Sequence, residues 1–266
     1  MIRSGALEGL TLRKVPEIQE GDYLRAQALL ARSREIYDTV ERYREEGYRV
    51  ILPEDEEWPV RLSALGAQMP QFLFARGDLS VLKACCVSVA GSRIIRENTL
   101  DAALRLGKEI AKQGYSLVCG GARGVDTAVQ RACLEAGGNL ILVPAYPCDQ
   151  LLRQEYLRNA LNKGKVLLLC DTWPCEAFSA GKALARNNTI YALGNAAVSV
   201  ASRKGKGGTW RGAVDCLRGG YTPLFVLNEH DAASEGNRAL LSLGAKELDL
   251  SCSISQQMFP EGGVDK

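Results

Sequence analysis

The sequence predicts an α/β protein: an open parallel sheet with helices on both faces, preceded by an N-terminal helix. Three observations predict it. After Gly77, short aliphatic runs alternate with longer amphipathic stretches, the rhythm of strand–helix crossovers. The runs are continuously apolar, as in strands buried on both faces. The 266 residues are 46% hydrophobic and 24% charged, which supplies enough apolar side chain for one large core. No run of about 18 apolar residues occurs, so no transmembrane helix is expected. The start, Met1–Ala6, leads into mixed charge rather than the apolar stretch of a secretory signal.

Taken in order, residues 1–20 show no periodicity. From Tyr23 to Glu46, Leu29, Ile36, Val40 and Tyr43 recur at helical spacing among good helix formers. Gly47 supplies a stop. The short apolar run Arg49–Leu52 ends at Pro53, and a connector with Trp58-Pro59 and Met69-Pro70 leads to an extended piece, Gln71–Ala75. The expected strands are Cys86–Ala90, Ser116–Cys119, Asn139–Val143, Val166–Leu169, Ala197–Ala201 and Pro223–Leu227. The expected helices are Asn98–Gln113, Val125–Ala136, Gln150–Asn162, Phe178–Leu193, Trp210–Leu217 and Glu235–Leu243, joined by right-handed crossovers. After Gly244 few packing residues remain. The expected organisation is therefore a tail and helical segment over 1–47, a main domain over 48–245, and a flexible tail over 246–266.

Nine cysteines are scattered without a C-x-x-C pair, and His230 is the single histidine. Most cysteines sit in apolar runs, where they behave as small buried hydrophobes. An odd count without an export signal points to reduced thiols and a cytoplasmic protein. No metal site, cofactor or catalytic residue is expected.

In an open parallel sheet, ligands bind beyond the carboxyl ends of the strands. Three glycine-rich loops fall there. Gly91-Ser92-Arg93 offers a tight turn, a hydroxyl and a forked cation. Gly120-Gly121-Ala122-Arg123-Gly124-Val125-Asp126 opens a helix whose first amides would favour an anion. Arg203-Lys204-Gly205-Lys206-Gly207-Gly208-Thr209 repeats the design with three cations, and Gly208 is expected in a positive-φ turn. The spacings match neither the G-x-G-x-x-G dinucleotide fingerprint nor the Walker A loop. Between Lys182 and Arg218 there are seven cations and one acid, a local +6 in a chain of net +2, so the remainder is acidic by 4. A concentrated basic segment on a near-neutral chain suits a phosphate backbone.

Further residues resemble a known family. Trp58-Pro59-Val60-Arg61-Leu62, then Pro70 and Gly77, then Gly91-Ser92-Arg93, then Gly120 to Asp126, the Ala132…Gly137-Gly138 helix end, and Phe178 leading to Arg186-Asn187 follow in order the DNA processing protein A (DprA/Smf) family. This resemblance implies an extended Rossmann-like fold that binds single-stranded DNA, forms dimers and helps load a RecA-type recombinase in natural transformation or other DNA recombination. By position it implies that Gly91, Ser92, Arg93, Gly121, Arg123, Gly124, Arg186 and Asn187 line a DNA groove, joined by Lys204, Lys206, Gly208 and Thr209. The family's R-N-R is Arg186-Asn187-Asn188 here, and Lys206 is expected to replace the missing cation. The chain also resembles, more weakly, the lysine-decarboxylase-like (LOG) group of nucleotide-binding enzymes, through Gly207-Gly208-Thr209. That group's assisting glutamate is absent from the following Trp210-Arg211-Gly212-Ala213. No nucleophile–base pair or carboxylate pair is visible, which suits a binding role.

Overall fold

The computed structural model describes residues 20–227 and 235–260. Expectations for residues 1–19 and for His230 lie outside the described residues. The chain divides into two units, 1–48 and 49–266. In the first, α1 spans Glu20–Glu45. It stops where Gly47 turns at φ 88°. There the Tyr48 N–H donates to Tyr43 O (2.9 Å) and the Gly47 N–H to Arg44 O (3.0 Å), a glycine-dependent helix end. The Tyr43 and Tyr48 rings meet edge to face, 5.8 Å between centroids.

The second unit is built on one nine-stranded sheet in the order β1-β2-β6-β5-β4-β3-β7-β8-β9. Its strands are β1 Arg49–Ile51, β2 Leu73–Gly77, β3 Cys86–Ala90, β4 Ser116–Cys119, β5 Asn139–Leu142, β6 Val166–Cys170, β7 Ala196–Ser199, β8 Leu224–Leu227 and β9 Lys246–Leu248. From β3 onward every pairing is parallel, as the continuous apolar runs required. The edge beyond β6 differs: β1 pairs antiparallel with β2, and β2 antiparallel with β6. Between them a 3₁₀ segment, Val60–Gln68, buries Leu62 and Leu65 against the sheet. Arg61 Nε, in the same segment, donates to Leu193 O (2.9 Å) at the end of α6 (Ala180–Leu193).

The remaining helices are α2 Glu97–Lys112, α3 Val125–Glu135, α4 Cys148–Leu152, α5 Glu155–Asn162, α7 Gly207–Gly219, α8 Glu235–Ser242 and α9 Ile254–Met258. Helices α2, α3 and α5 cover one face of the sheet. Helices α6, α7 and α8 and the 3₁₀ segment cover the other. Leu106 and Ile110 on α2 are fully buried, each stabilising the domain by about 1.5–3 kcal/mol.

Two expectations are corrected. The helix expected over Gln150–Asn162 is two helices, because Gln154 takes extended backbone (ψ 112°) and caps α5. The segment from 246 is not a separate flexible tail in its described part. Lys246–Leu248 adds the edge strand β9, which was hidden because Lys246 and Glu247 face solvent. Ile254 and Met258 are buried. The Tyr115 hydroxyl donates to Ser255 Oγ (2.7 Å), and the Tyr115 ring meets Phe259.

The strand order matters for function. The chain runs β3, β4, β5, β6 outward in one direction, then returns to place β7 on the other side of β3. The loops leaving β3 and β7 therefore diverge and open a crevice at their carboxyl ends.

Candidate functional site

At that crevice lies an open groove of about 980 Å³, walled by the loops after β3 and β7 and by α6 and α7. It brings together Gly91, Ser92, Arg93, Arg186, Asn187, Lys206, Gly208 and Thr209. The two lips are tied. Thr209 Oγ1 donates to Gly91 O (2.9 Å), and Asn187 Nδ2 donates to Gly208 O (3.2 Å). Gly91 has no room for a Cβ because the Val125 side chain occupies the space. The Ser92 hydroxyl is used internally, donating to Ile94 O (2.7 Å) and accepting from the Ile94 N–H (3.2 Å). Arg93 is exposed at the lip.

The second glycine loop is organised differently. The Asp126 carboxylate accepts from the N–H groups of Gly120 (3.1 Å) and Ala122 (3.2 Å), and the Val125 N–H donates to Ser92 O (3.2 Å). The amides of the loop before α3 are therefore bonded within the protein, to Asp126 and to Ser92 O, and not opened toward an external anion as the sequence suggested. Gly124 turns at φ 81°, and a Cβ there would collide with Ser92 O. Gly121 turns at φ 68° and its carbonyl accepts from the Tyr146 hydroxyl. Gly121, Gly124 and the exposed Arg123 lie off the groove wall, as does Lys204.

Helix α7 has no side-chain cap at its N-terminus. Its first turn, Gly207–Trp210, lines the groove, so the positive end of its dipole lies at the groove wall. Positive φ occurs at Gly205 (72°) and Gly207 (84°) but not at Gly208. At Gly208 the constraint is the Asn187 side chain, 3.0 Å from where a Cβ would sit.

Arg186 is 6% exposed and borders both this groove and a small cavity behind it. Its Nε is buried and has no hydrogen-bond partner among the described residues. Gly120 is glycine because a Cβ would run into the guanidinium. Burial pushes Asp126 up to about 6, although Arg186 and the two N–H donors favour its charged form. Burial likewise raises Asp171, against the hydrogen bond from Thr189 Oγ1 (2.8 Å). Asn188, on the same helix, faces elsewhere: its Nδ2 donates to Gln68 Oε1 (3.0 Å) in the 3₁₀ segment. The position of the missing cation is thus not on the groove.

Sequence reasoning gave no site role to Phe178 and Trp210 and counted Arg203, Arg211 and Arg218 only as part of the basic segment; all five line the groove. The signal was present for two of them. Arg211, Asp215 and Arg218 stand at i, i+4 and i+7 along one face of α7. In all, the wall carries Arg93, Arg186, Arg203, Lys206, Arg211 and Arg218 against Asp126 and Asp215, six cations to two carboxylates. Phe178 is 53% exposed over this wall. Asn237, 1% exposed, braces the floor. Its Nδ2 donates to Ser199 O (3.1 Å), Val200 O (2.9 Å) and Leu227 O (2.9 Å), while its Oδ1 accepts from Ser199 and Ser202. No group of three His, Cys, Asp or Glu side chains among the described residues could hold a metal.

Residues 49–258 match the family described as DNA recombination-mediator protein A. The chain belongs to that family. Among relatives of the recombination-mediator family, the DNA processing protein DprA of Bacillus subtilis (strain 168) is 27% identical over 249 residues, 91% of this chain and 83% of its own length. The X-ray structure of DNA processing protein A from Streptococcus pneumoniae superposes with a TM-score of 0.70 at 23% identity, covering 82% of this chain and 75% of that one. A Helicobacter pylori structure of DNA processing protein A, described for its single-stranded DNA binding mode, gives 0.65 at 24% identity, covering 77% and 92%. These likenesses establish the extended Rossmann-like fold, and membership places the chain among DNA-processing proteins. No helix among the described residues is long and apolar enough to cross a membrane.

Proposed function

We propose that the groove binds single-stranded DNA without performing chemistry on it. The carrying observation is the wall itself, six cations to two carboxylates at the switch point, with Phe178 and Trp210 beside them. Cations track phosphates, the open α7 N-terminus accepts one more, and aromatic faces stack bases regardless of sequence. Arg93, Arg203 and Lys206 meet phosphates at the lips, and the buried Arg186 supplies charge from below. The strand-binding mode described for the Helicobacter pylori protein supports the same ligand here. The bound strand would pass to a RecA-type recombinase, with the protein acting as a homodimer in the cytoplasm. Family membership supports this role.

The test is fluorescence anisotropy of labelled oligo-dT against salt. Arg93→Ala, Arg203→Ala and Lys206→Ala should each lower the log–log salt slope by about 0.7 for every phosphate left unneutralised. Unchanged slopes in all three variants sink the assignment. If nucleoside monophosphates raise the melting temperature and oligo-dT does not, the nucleotide-pocket alternative replaces it.

A further inference from the structure

Behind the groove, at the carboxyl ends of β5 and β6, two thiols face one another. Cys148 opens α4 and Cys170 ends β6; their Sγ atoms are 3.2 Å apart. The side chains are 1% and 3% exposed. Their sequence separation gave no hint of a pair; the fold makes one because β5 and β6 are parallel neighbours and the Cys148 N–H donates to Pro174 O (2.9 Å). Other buried cysteines behave differently. Cys86, Cys133 and Cys216 point their thiols at the carbonyls of Ala84, Asn139 and Thr222. Cys170 also borders the small cavity, about 10 Å³, that it shares with Asp171, Trp173 and Arg186. Five residues on, Cys175 is exposed, in a turn closed by the Glu176 N–H donating to Trp173 O (2.9 Å).

We propose that Cys148 and Cys170 form a reversible disulfide by exchange with a low-molecular-weight disulfide, RSSR, and that Cys175 is the entry thiol. The Cys175 thiolate attacks one sulfur of RSSR, forming Cys175–S–SR and releasing RS⁻. The Cys170 thiolate attacks the Cys175 sulfur and expels the second RS⁻. The Cys148 thiolate then attacks the Cys170 sulfur and returns Cys175 as a thiolate. In sum, two protein thiols and one RSSR become one protein disulfide and two RSH, the two thiol protons passing through water to the two RS⁻. The route through Cys175 is needed because Cys148 and Cys170 are buried out of reach of a reagent in water, whereas Cys175 is exposed to it. Closing the bond brings the sulfurs together by roughly 1 Å, to about 2.05 Å. It would fasten the loop after Tyr146 to the strand end that carries Asp171, two segments that flank Arg186.

The experiment incubates the full chain with oxidised or reduced glutathione, alkylates free thiols with N-ethylmaleimide, and maps peptides by mass spectrometry. After oxidation we expect the Cys148 and Cys170 peptides joined and the seven others of the nine cysteines alkylated. We also expect a melting temperature that rises and is restored by dithiothreitol. Cys175→Ser should form the same link at least tenfold more slowly, and Cys148→Ser should lose the melting shift. Nine alkylated thiols, a link between other cysteines, or a stable glutathione adduct on Cys175 beside alkylated Cys148 and Cys170 would each overturn the pair. A Cys175→Ser protein that oxidises at the wild-type rate overturns the entry role.

Discussion

Two helices of this chain follow glycine-rich loops at strand ends, and the two loops are built in opposite ways. At α3 the loop folds onto Asp126, whose carboxylate accepts from Gly120 and Ala122, and Gly124 is pressed against the backbone of Ser92 and Arg93. At α7 no side chain caps the helix, and Gly205 and Gly207 turn in open space. Neither helix has a side-chain cap, but the loop before α3 is closed on Asp126 and Ser92, whereas the first turn of α7 lines the groove. The same sequence signature thus closes on itself in one place and lines an open groove in the other.

The sharpest way to break the contrast is Asp126→Leu. It leaves the buried Gly120 N–H and the half-buried Ala122 N–H without their acceptor and the Arg186 charge without a nearby carboxylate at the α3 loop. Urea unfolding should show a loss of about 3–5 kcal/mol. No comparable loss should follow from any change of the exposed side chains at the α7 start.

The pH dependence of the same carboxylate gives the next effect. Asp126 rests at about 6 in the fold against 3.8 when exposed. Between those values the native protein holds a proton that the unfolded chain releases. The contribution is therefore full below about pH 4 and lost as pH rises through about 6, a change of about 2–3 kcal/mol. Measured from pH 4 to 7, the stability of wild type relative to Asp126→Asn should fall by that amount. A flat difference would mean that Asp126 is not held in the protonated direction.

Glycine substitutions follow. Gly124→Ala combines positive φ with a backbone collision and should cost at least about 2 kcal/mol. Gly207→Ala meets no atom and should cost about 1 kcal/mol, from φ alone. Equal costs would erase the distinction between the closed loop and the open one. Smallest in stability is Arg203→Ala with Lys206→Ala, expected within about 0.5 kcal/mol of wild type. In low salt that double variant should still lose about tenfold in oligo-dT affinity, with the loss shrinking as salt screens it.

The central strands were legible because burial on both faces writes itself as unbroken apolar runs from Cys86 to Leu227. The edge strand β9 was not, since Lys246 and Glu247 face solvent and remove that signal, and β1 showed only as the short apolar run Arg49–Leu52. In the site, Gly91, Arg93, Lys206, Gly208 and Thr209 could be placed because their loops follow readable strands. What sequence could not show is whether the amides of a glycine loop are already bonded, since that depends on where Asp126 points. Nor could it separate Asn187 from Asn188. Successive residues on a helix lie about 100° apart, so one reaches Gly208 and its neighbour reaches Gln68.

Asn237 has a consequence for how the groove would work. With five hydrogen bonds it pins the ends of β7 and β8 and the Ser202 hydroxyl just before the cationic loop, while Thr209 and Asn187 stitch the lips above. Such a wall is preorganised. In the binding proposed here, the disorder surrendered on association would come from the flexible strand and hardly at all from the protein. A strand with strongly stacked bases, such as oligo-dA, must first unstack to fit a mould that does not yield, so the rigidity of one buried amide would become a preference for soft, poorly stacked DNA.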